Sequence, residues 1–289
     1  MSKTPKIQRW QRIPTVLTPQ QFDEFILPHL RTPTTGPVQK ISGYKVFNYI
    51  LKLLHTGCQW AEIPIEKDTD GLPEIHYTRI YRKFRYWINH GCIDTIFGHT
   101  VFHLNEKGFL DTSILHGDGT STMAKKGGDN LGFNGHKHMK GDKVVAICDS
   151  HCNVICPFIA APGNRNECPL LPEAIASLKQ MAQAVGFNLS GTIMSLDGVY
   201  DSRANRKMIF NQGMTPNIPE NVRSRKTTKR GRKRLFDPLI FKERFRTIER
   251  VFAWEDKFKR LLLRFERLSP VHYALKTIAY SMINLRHFC

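Results

Sequence analysis

A change of pattern near residue 105 restricts the fold more than any other feature. Before it, apolar residues recur at helical spacing; after it, short apolar runs alternate with helical stretches. The segment GFLDTSILHGDG predicts a strand at about 113–118. A Gly/Lys-rich loop follows, AKKGGDNLGFNGHKHMKGDK. Strands are then expected at 144–149 and 154–160, with DSHCN as their turn. ECPLLPEAIASLKQMAQAVGF has the period of an amphipathic helix. Next come a strand in GTIMSLD, a helix from near Ser202, a strand near 214–218 and two closing helices, near 239–268 and 271–286. Three strands in succession, then alternating elements, describe an α/β mixed sheet with flanking helices.

The first part of the chain reads as helical. Thr18 is placed to cap PQQFDEFILPHL, and SGYKVFNYILKLLHTG carries Val46, Ile50, Leu53 and Leu54 on one face with Gly57 as its stop. HYTRIYRKFRYWINHG sets Ile80, Phe84 and Trp87 on one side and Arg79, Arg82, Lys83 and Arg85 over the rest. Short helices with a basic last one fit a helix-turn-helix-like DNA reader. They fit equally a plain bundle with a solvated basic face. The division expected is a helical DNA-binding domain at 1–105 and a catalytic domain at 106–289.

Charge narrows the partners. Lys and Arg number 43 against 25 Asp and Glu, for a net charge of +18. Such an excess points to a polyanion, nucleic acid first, because neutralising phosphates releases counterions. No apolar run approaches the ~18 residues of a membrane span, and no leader follows the N-terminus, so a cytoplasmic protein with no membrane partner is expected. Cys148, Cys152, Cys156 and Cys168 cluster with His151. They lack a C-x2-C pair, and packed thiols are favoured over a zinc site.

Three carboxylates stand out for chemistry. Asp118 follows an apolar run in HGDGTS, and Asp197 follows another in IMSLDGVYDS. Each fits a metal-binding acid at a strand end, and each fits a turn aspartate. Asp201 is a rival for the second place but reads as the N-cap of the next helix. Glu249 lies in RFRTIERVFAWEDKFKRLLLRFERL, where Ile248, Phe252, Phe258, Leu262 and Phe265 form the expected core face. Glu243, Glu255 and Glu266 compete with it, since an acid in a basic helix is also half of an i,i+4 ion pair.

TIERVFAW followed by KFKRLLLRFE resembles the signature helix of bacterial insertion-sequence DDE transposases of the "insertion sequence five" family. HGDGT, APGNRNE and LDGVYDS fall in the family's order, and GCQWAEIP with IYRKFRYWINHGCIDTIF resembles its N-terminal helical domain. The resemblance covers roughly residues 40–285. It implies a ribonuclease-H-like catalytic domain, whose element order the strands and helices above share. It implies catalytic, metal-binding acids at Asp118, Asp197 and Glu249, holding two Mg2+ ions with Mn2+ as a substitute. Water would attack at the transposon end, and the freed 3′-OH would attack target DNA. The partners implied are double-stranded DNA, both inverted repeats and target, and further copies of the chain in a dimer or larger synaptic complex.

Arg250, Lys257, Arg260 and Arg264 resemble the family's basic residues that hold end phosphates; with Arg82, Lys83 and Arg85 they are the expected DNA-binding set. Asn164 and Arg165 match a family motif near the site. The chain departs from the family where Val199 stands in place of a Gly after the second acid. Arg244 and Lys257 each lie one residue too far from Glu249, and Phe241 is the nearest residue to an expected Tyr. The basic stretch from Val222 to Arg234 carries eight Lys/Arg in thirteen residues and reads as a solvated loop or a sequence-independent phosphate clamp. Two rivals to the transposase are a catalytically inactive, transposase-derived DNA-binding protein and a ribonuclease-H-like nuclease acting on RNA–DNA hybrids.

Overall fold

The computed structural model describes residues 11–33, 41–221 and 234–289. In chain order the elements are α1 (Pro19–Phe25), α2 (Gly43–Thr56), α3 (Tyr77–Asn89), α4 (Cys92–Glu106), β1 (Ile114–Met123), β2 (Gly132–Asn134), β3 (Met139–Asp149), β4 (Ile159–Pro162), α5 (Leu171–Val185), β5 (Ile193–Leu196), α6 (Arg203–Asn211), β6 (Thr215–Asn217), α7 (Pro238–Glu243), α8 (Ile248–Glu255) and α9 (Ser269–Leu285), joined by turns and short 3-10 segments. The chain divides into two compact units.

The first unit comprises, among the described residues, Val101–Ser121 and Gly132–Ala253. Its sheet runs β2-β3-β1-β5-β6, with β4 also on β3. The β3–β4 pair is antiparallel, while β1–β5 and β5–β6 are parallel. Antiparallel neighbours need only short turns, but parallel ones need a crossover, and α5 and α6 supply the crossovers. The result is a ribonuclease-H-like mixed sheet with flanking helices. Leu115 of β1, Val145 and Ile147 of β3 and Met194 of β5 pack with Leu171, Ile175 and Leu178 of α5 in one buried cluster. Gly186, at φ 89°, stops α5 in the left-handed conformation that glycine adopts without strain.

Several expected boundaries move. β1 runs on to Met123, so Asp118 sits inside the strand rather than at its end. The Gly/Lys-rich segment expected as a loop holds β2 and the start of β3, joined through backbone pairing that needs no apolar side chains. The expected second arm of the hairpin touches β3 only through a Cys148–Val154 bridge and pairs regularly from Ile159 onward. Asp149 explains the interruption, because its carboxylate takes the amides of His151 and Asn153 and rounds the turn. Cys148, Cys152 and Cys156 are buried.

The second unit draws its described residues from Trp10–Thr100, Thr122–Leu131 and Trp254–Cys289. Thr18 caps α1 in a capping box with Gln21, Ser42 caps α2, and Gly57 ends α2 at φ 75°. Phe47, Ile50 and Leu54 of α2 are buried, as are Ile80, Phe84 and Trp87 of α3 and Leu275, Ile278 and Met282 of α9. Lys276 and Glu255 form a buried ion pair.

The long helix expected over 239–268 does not form. The chain breaks into α7, a 3-10 turn at Arg244–Arg246, α8, and a second 3-10 turn at Lys259–Leu261. Helical spacing places Phe258 in the core correctly but misassigns the faces beyond it. Leu262, expected in the core, is 50% exposed, whereas Arg264 is 1% exposed.

Among the described residues, no helix is long and apolar enough to cross a membrane.

Candidate active site

Adjacent parallel strands carry the first two acids. In the β1–β5 register His116 faces Ser195 and Gly117 faces Leu196, so Asp118 and Asp197 continue the same pairing by one step. Each acid accepts the amide of its following glycine, Gly119 at 2.8 Å and Gly198 at 2.6 Å. Gly119 has a steric reason to be glycine, because a Cβ there would lie 2.4 Å from the Glu167 carboxyl carbon.

Glu249 arrives from the first turn of α8. Its approach depends on the break before that helix. In a continuous helix, residues 244 and 249 would stand about 140° apart around the axis. Thr247 leaves helical conformation at φ −122°, ψ −93°, and its hydroxyl donates to the Glu243 carbonyl at 3.0 Å. The interruption absorbs the extra residue between Arg244 and Glu249, and both face the sheet acids.

The three carboxylates meet at the Arg244 guanidinium. Nη2 donates to Asp118 Oδ2 and lies 3.8 Å from Glu249 Oε1; Nη1 lies 3.6 Å from Asp197 Oδ1. The guanidinium stacks on Phe241, 5.2 Å from the ring centroid. Arg244 is buried, whereas Asp197 and Glu249 are about half exposed. Burial lifts the Asp118 carboxyl to about 6, against the pull of Arg244 and the Gly119 amide, and the charges of Glu249 and Glu167 add to the rise. His116 lies two residues before Asp118 on β1, and among the described residues neither of its ring nitrogens is hydrogen-bonded; burial and then Arg244 hold it down to about 4, so it is neutral at pH 7.

Glu167, Tyr200 and Arg244 are the members that sequence reasoning did not assign to the site. Glu167 pairs with Lys143 at 3.3 Å and accepts from the Tyr200 hydroxyl at 3.2 Å. Burial keeps that hydroxyl protonated, reinforced by Glu167, Asp118 and Asp197. The only sequence signal for Glu167 was its place in APGNRNE. The signal for Arg244 was its off-register spacing.

The rival acids have other partners. Glu255 pairs with Lys276, Glu266 with Arg260, and Glu243 stands 3.9 Å from His116. Asp201 is not the helix cap; Ser202 is. Asp201 instead binds Arg206 at 2.8 Å and also Arg234.

The expected DNA-binding residues separate by burial. Arg82 and Lys257 are exposed; Arg85 and Arg250 are half-buried. Lys83 is also half-buried, its ammonium 5.6 Å from the Tyr86 and Trp87 ring centroids. Arg260 and Arg264, also in the expected set, are buried and already bound. Arg260 pairs with Glu266 at 2.6 Å and donates to the Cys58 carbonyl at 3.0 Å. Arg264 pairs with Asp129 at 3.0 Å and donates to the carbonyls of Asp129 and Glu266. Of the basic stretch, residues 222–233 lie outside the described residues.

The donor set suits a hard divalent cation, being three carboxylates already directed at one positive group. Among the described residues, no three His, Cys, Asp or Glu side chains stand close enough together to share an ion.

Residues 104–284 match the family described as the transposase DDE domain. The chain belongs to that family. Among solved structures it is similar to the piggyBac transposase in a synaptic complex with hairpin DNA, at 11% identity and a TM-score of 0.44, covering 89% of this chain and 67% of that one. It is also similar to the Mos1 transposase in a paired-end complex with the left transposon end, at 12% identity and 0.28, covering 68% and 64%. The catalytic domain of the Mos1 mariner transposase gives 13% identity and 0.28, with 65% and 87% covered. No curated protein matches the sequence.

Proposed function

We propose that this DDE transposase binds transposon ends, cleaves them and joins the 3′-OH to target DNA, with Asp118, Asp197 and Glu249 as its catalytic, metal-binding acids. The observation that carries the reading is their convergence from β1, the end of β5 and α8 on one guanidinium. The family membership supports it, as does the "insertion sequence five" resemblance of the signature stretch.

The acids would hold two Mg2+ ions, with Mn2+ as a substitute, and bound divalent ions supply activation of the attacking oxygen and stabilisation of the leaving one. The chain's own part is positioning. The β1–β5 pairing sets two carboxylates one step beyond a buried register, and α8 delivers the third. Tyr200, kept protonated, donates to Glu167 and holds that acid in place beside Gly119.

DNA would meet exposed and half-buried cations: Arg82, Lys83 and Arg85 in the helical region before residue 105, and Arg250 and Lys257 in the catalytic region from 106 onward. Two ends held together require at least a dimer. The other transposases offer a parallel, since the piggyBac and Mos1 proteins are seen in synaptic and paired-end complexes.

The test is strand transfer by the purified protein with Mg2+ on DNA carrying the gene's flanking ends, with Glu249→Gln beside it. Joined products from the wild type alone support the reading. DNA binding without any cleavage by the wild type favours the inactive DNA-binding protein. Degradation without joining favours a nuclease.

A further inference from the structure

The centre of the acid cluster is held by the chain itself. One guanidinium faces three carboxylates, so the cluster keeps a surplus of negative charge. The contact with Asp118 is a hydrogen bond, whereas Asp197 and Glu249 are held at charge-pair distance. Among the described residues, buried Arg244 Nε has no hydrogen-bond partner. A buried arginine kept for stability alone would be expected to have its donors satisfied and its charge matched. Arg264 meets that description, with one carboxylate and several carbonyls around it.

The backbone beneath Arg244 is also short of regular structure. The residue opens a 3-10 turn between two short helices, and its guanidinium rests on Phe241. Rotating the side chain off that ring breaks one hydrogen bond and no helix.

Resting on the three-acid reading above, we propose that Arg244 is a positioning residue that occupies the cation place of the active site: it gathers Asp118, Asp197 and Glu249 in the metal-free protein and must withdraw for divalent ions to load. The guanidinium takes an Asp118 oxygen and the space between the carboxylates that an ion would need, and its charge opposes an incoming cation. Arg244 and the metal therefore compete. A residue that merely supported the site would weaken metal binding when removed; Arg244 should strengthen it.

The experiment is a titration of the full chain with Mn2+, following free Mn2+ by electron paramagnetic resonance. The proteins are wild type, Arg244→Gln, Arg244→Lys, and Asp197→Asn in both the wild-type and Arg244→Gln backgrounds. Arg244→Gln should bind Mn2+ about tenfold tighter than wild type, and Arg244→Lys, which keeps the charge, should return toward wild type. Equal or weaker binding by Arg244→Gln overturns the proposal. Should Arg244→Gln not fold without metal, Mn2+ must restore its melting transition, because the ion takes the guanidinium's place; failure to do so also overturns it. The Asp197→Asn proteins separate the two layers. If neither loses Mn2+ affinity, the three-acid reading fails and this proposal with it. If they lose affinity while Arg244→Gln gains none, only the role of Arg244 fails.

Discussion

Arg244 and Arg264 come from the same basic stretch and are both buried, yet they do opposite things. Arg264, in the second unit, meets one carboxylate and a set of carbonyls, and its charge and donors are satisfied. Arg244, in the first unit, meets three carboxylates, and its Nε has no partner among the described residues. The difference teaches that burial does not separate a structural arginine from a functional one. The balance of charge around it does.

The largest effect expected lies on the acid side of this comparison. Asp118→Asn, Asp197→Asn or Glu249→Gln should lower strand transfer by about 1,000-fold or more, on the order of 4 kcal/mol. None should lower the melting temperature much, because each removes one of several mutually repelling charges. A variant that loses DNA binding and folding together would show that its acid is structural.

Arg264→Leu comes next. It strips a buried cluster of its donor and should cost roughly 3–5 kcal/mol of stability in urea unfolding. Mn2+ affinity of the protein that remains folded should not change. A tighter metal site in Arg264→Leu would erase the contrast between the two arginines.

Gly119→Ala sharpens the boundary of the acid cluster. Its Cβ would displace the Glu167 carboxyl from Lys143 and Tyr200. About 1–3 kcal/mol of stability should be lost, read in the same unfolding assay, and an unchanged midpoint would mean that Glu167 moves aside freely.

Acid unfolding gives a smaller signal. Burial pushes the Asp201 carboxyl up, but the Asn221 amide, Arg206 and Arg234 outweigh it and leave it below the usual carboxylate range. A lowered folded value means that its contribution is present above the ordinary range and fades as the pH falls through the lowered one. Asp201→Asn should therefore flatten the loss of stability on the acid side and leave that slope unchanged near neutrality. Parallel curves for the two proteins would contradict the pairing.

The smallest effect belongs to an exposed cation. Arg82→Ala should weaken DNA binding a few-fold and reduce the slope of log affinity against log salt by about one. An unchanged slope would remove Arg82 from the DNA-binding set.

Much of this was legible before the structure. The alternation of strands and helices along the chain, the helix cap at Thr18 and the stop at Gly57 depend on local pattern, and local pattern survives in sequence. Asp118 and Asp197 were visible because an acid followed by glycine at the close of an apolar run is a local signal. Glu249 needed the family resemblance, since its neighbourhood reads as one long basic helix.

What the amino-acid order determined by itself is the alternation of strands and helices after residue 105, the helical character before it and a strongly basic chain. Only the tertiary structure decided where the expected helix over 239–268 breaks, and hence that Arg244 and Glu249 face the same point, that Arg264 is inside, and that Leu262 is outside. Helical periodicity assumes that each residue turns by a constant angle. A chain held by Thr247 and drawn to three carboxylates and to Asp129 abandons that constancy, because long-range charge and hydrogen bonding outweigh the small preference for continuing a helix.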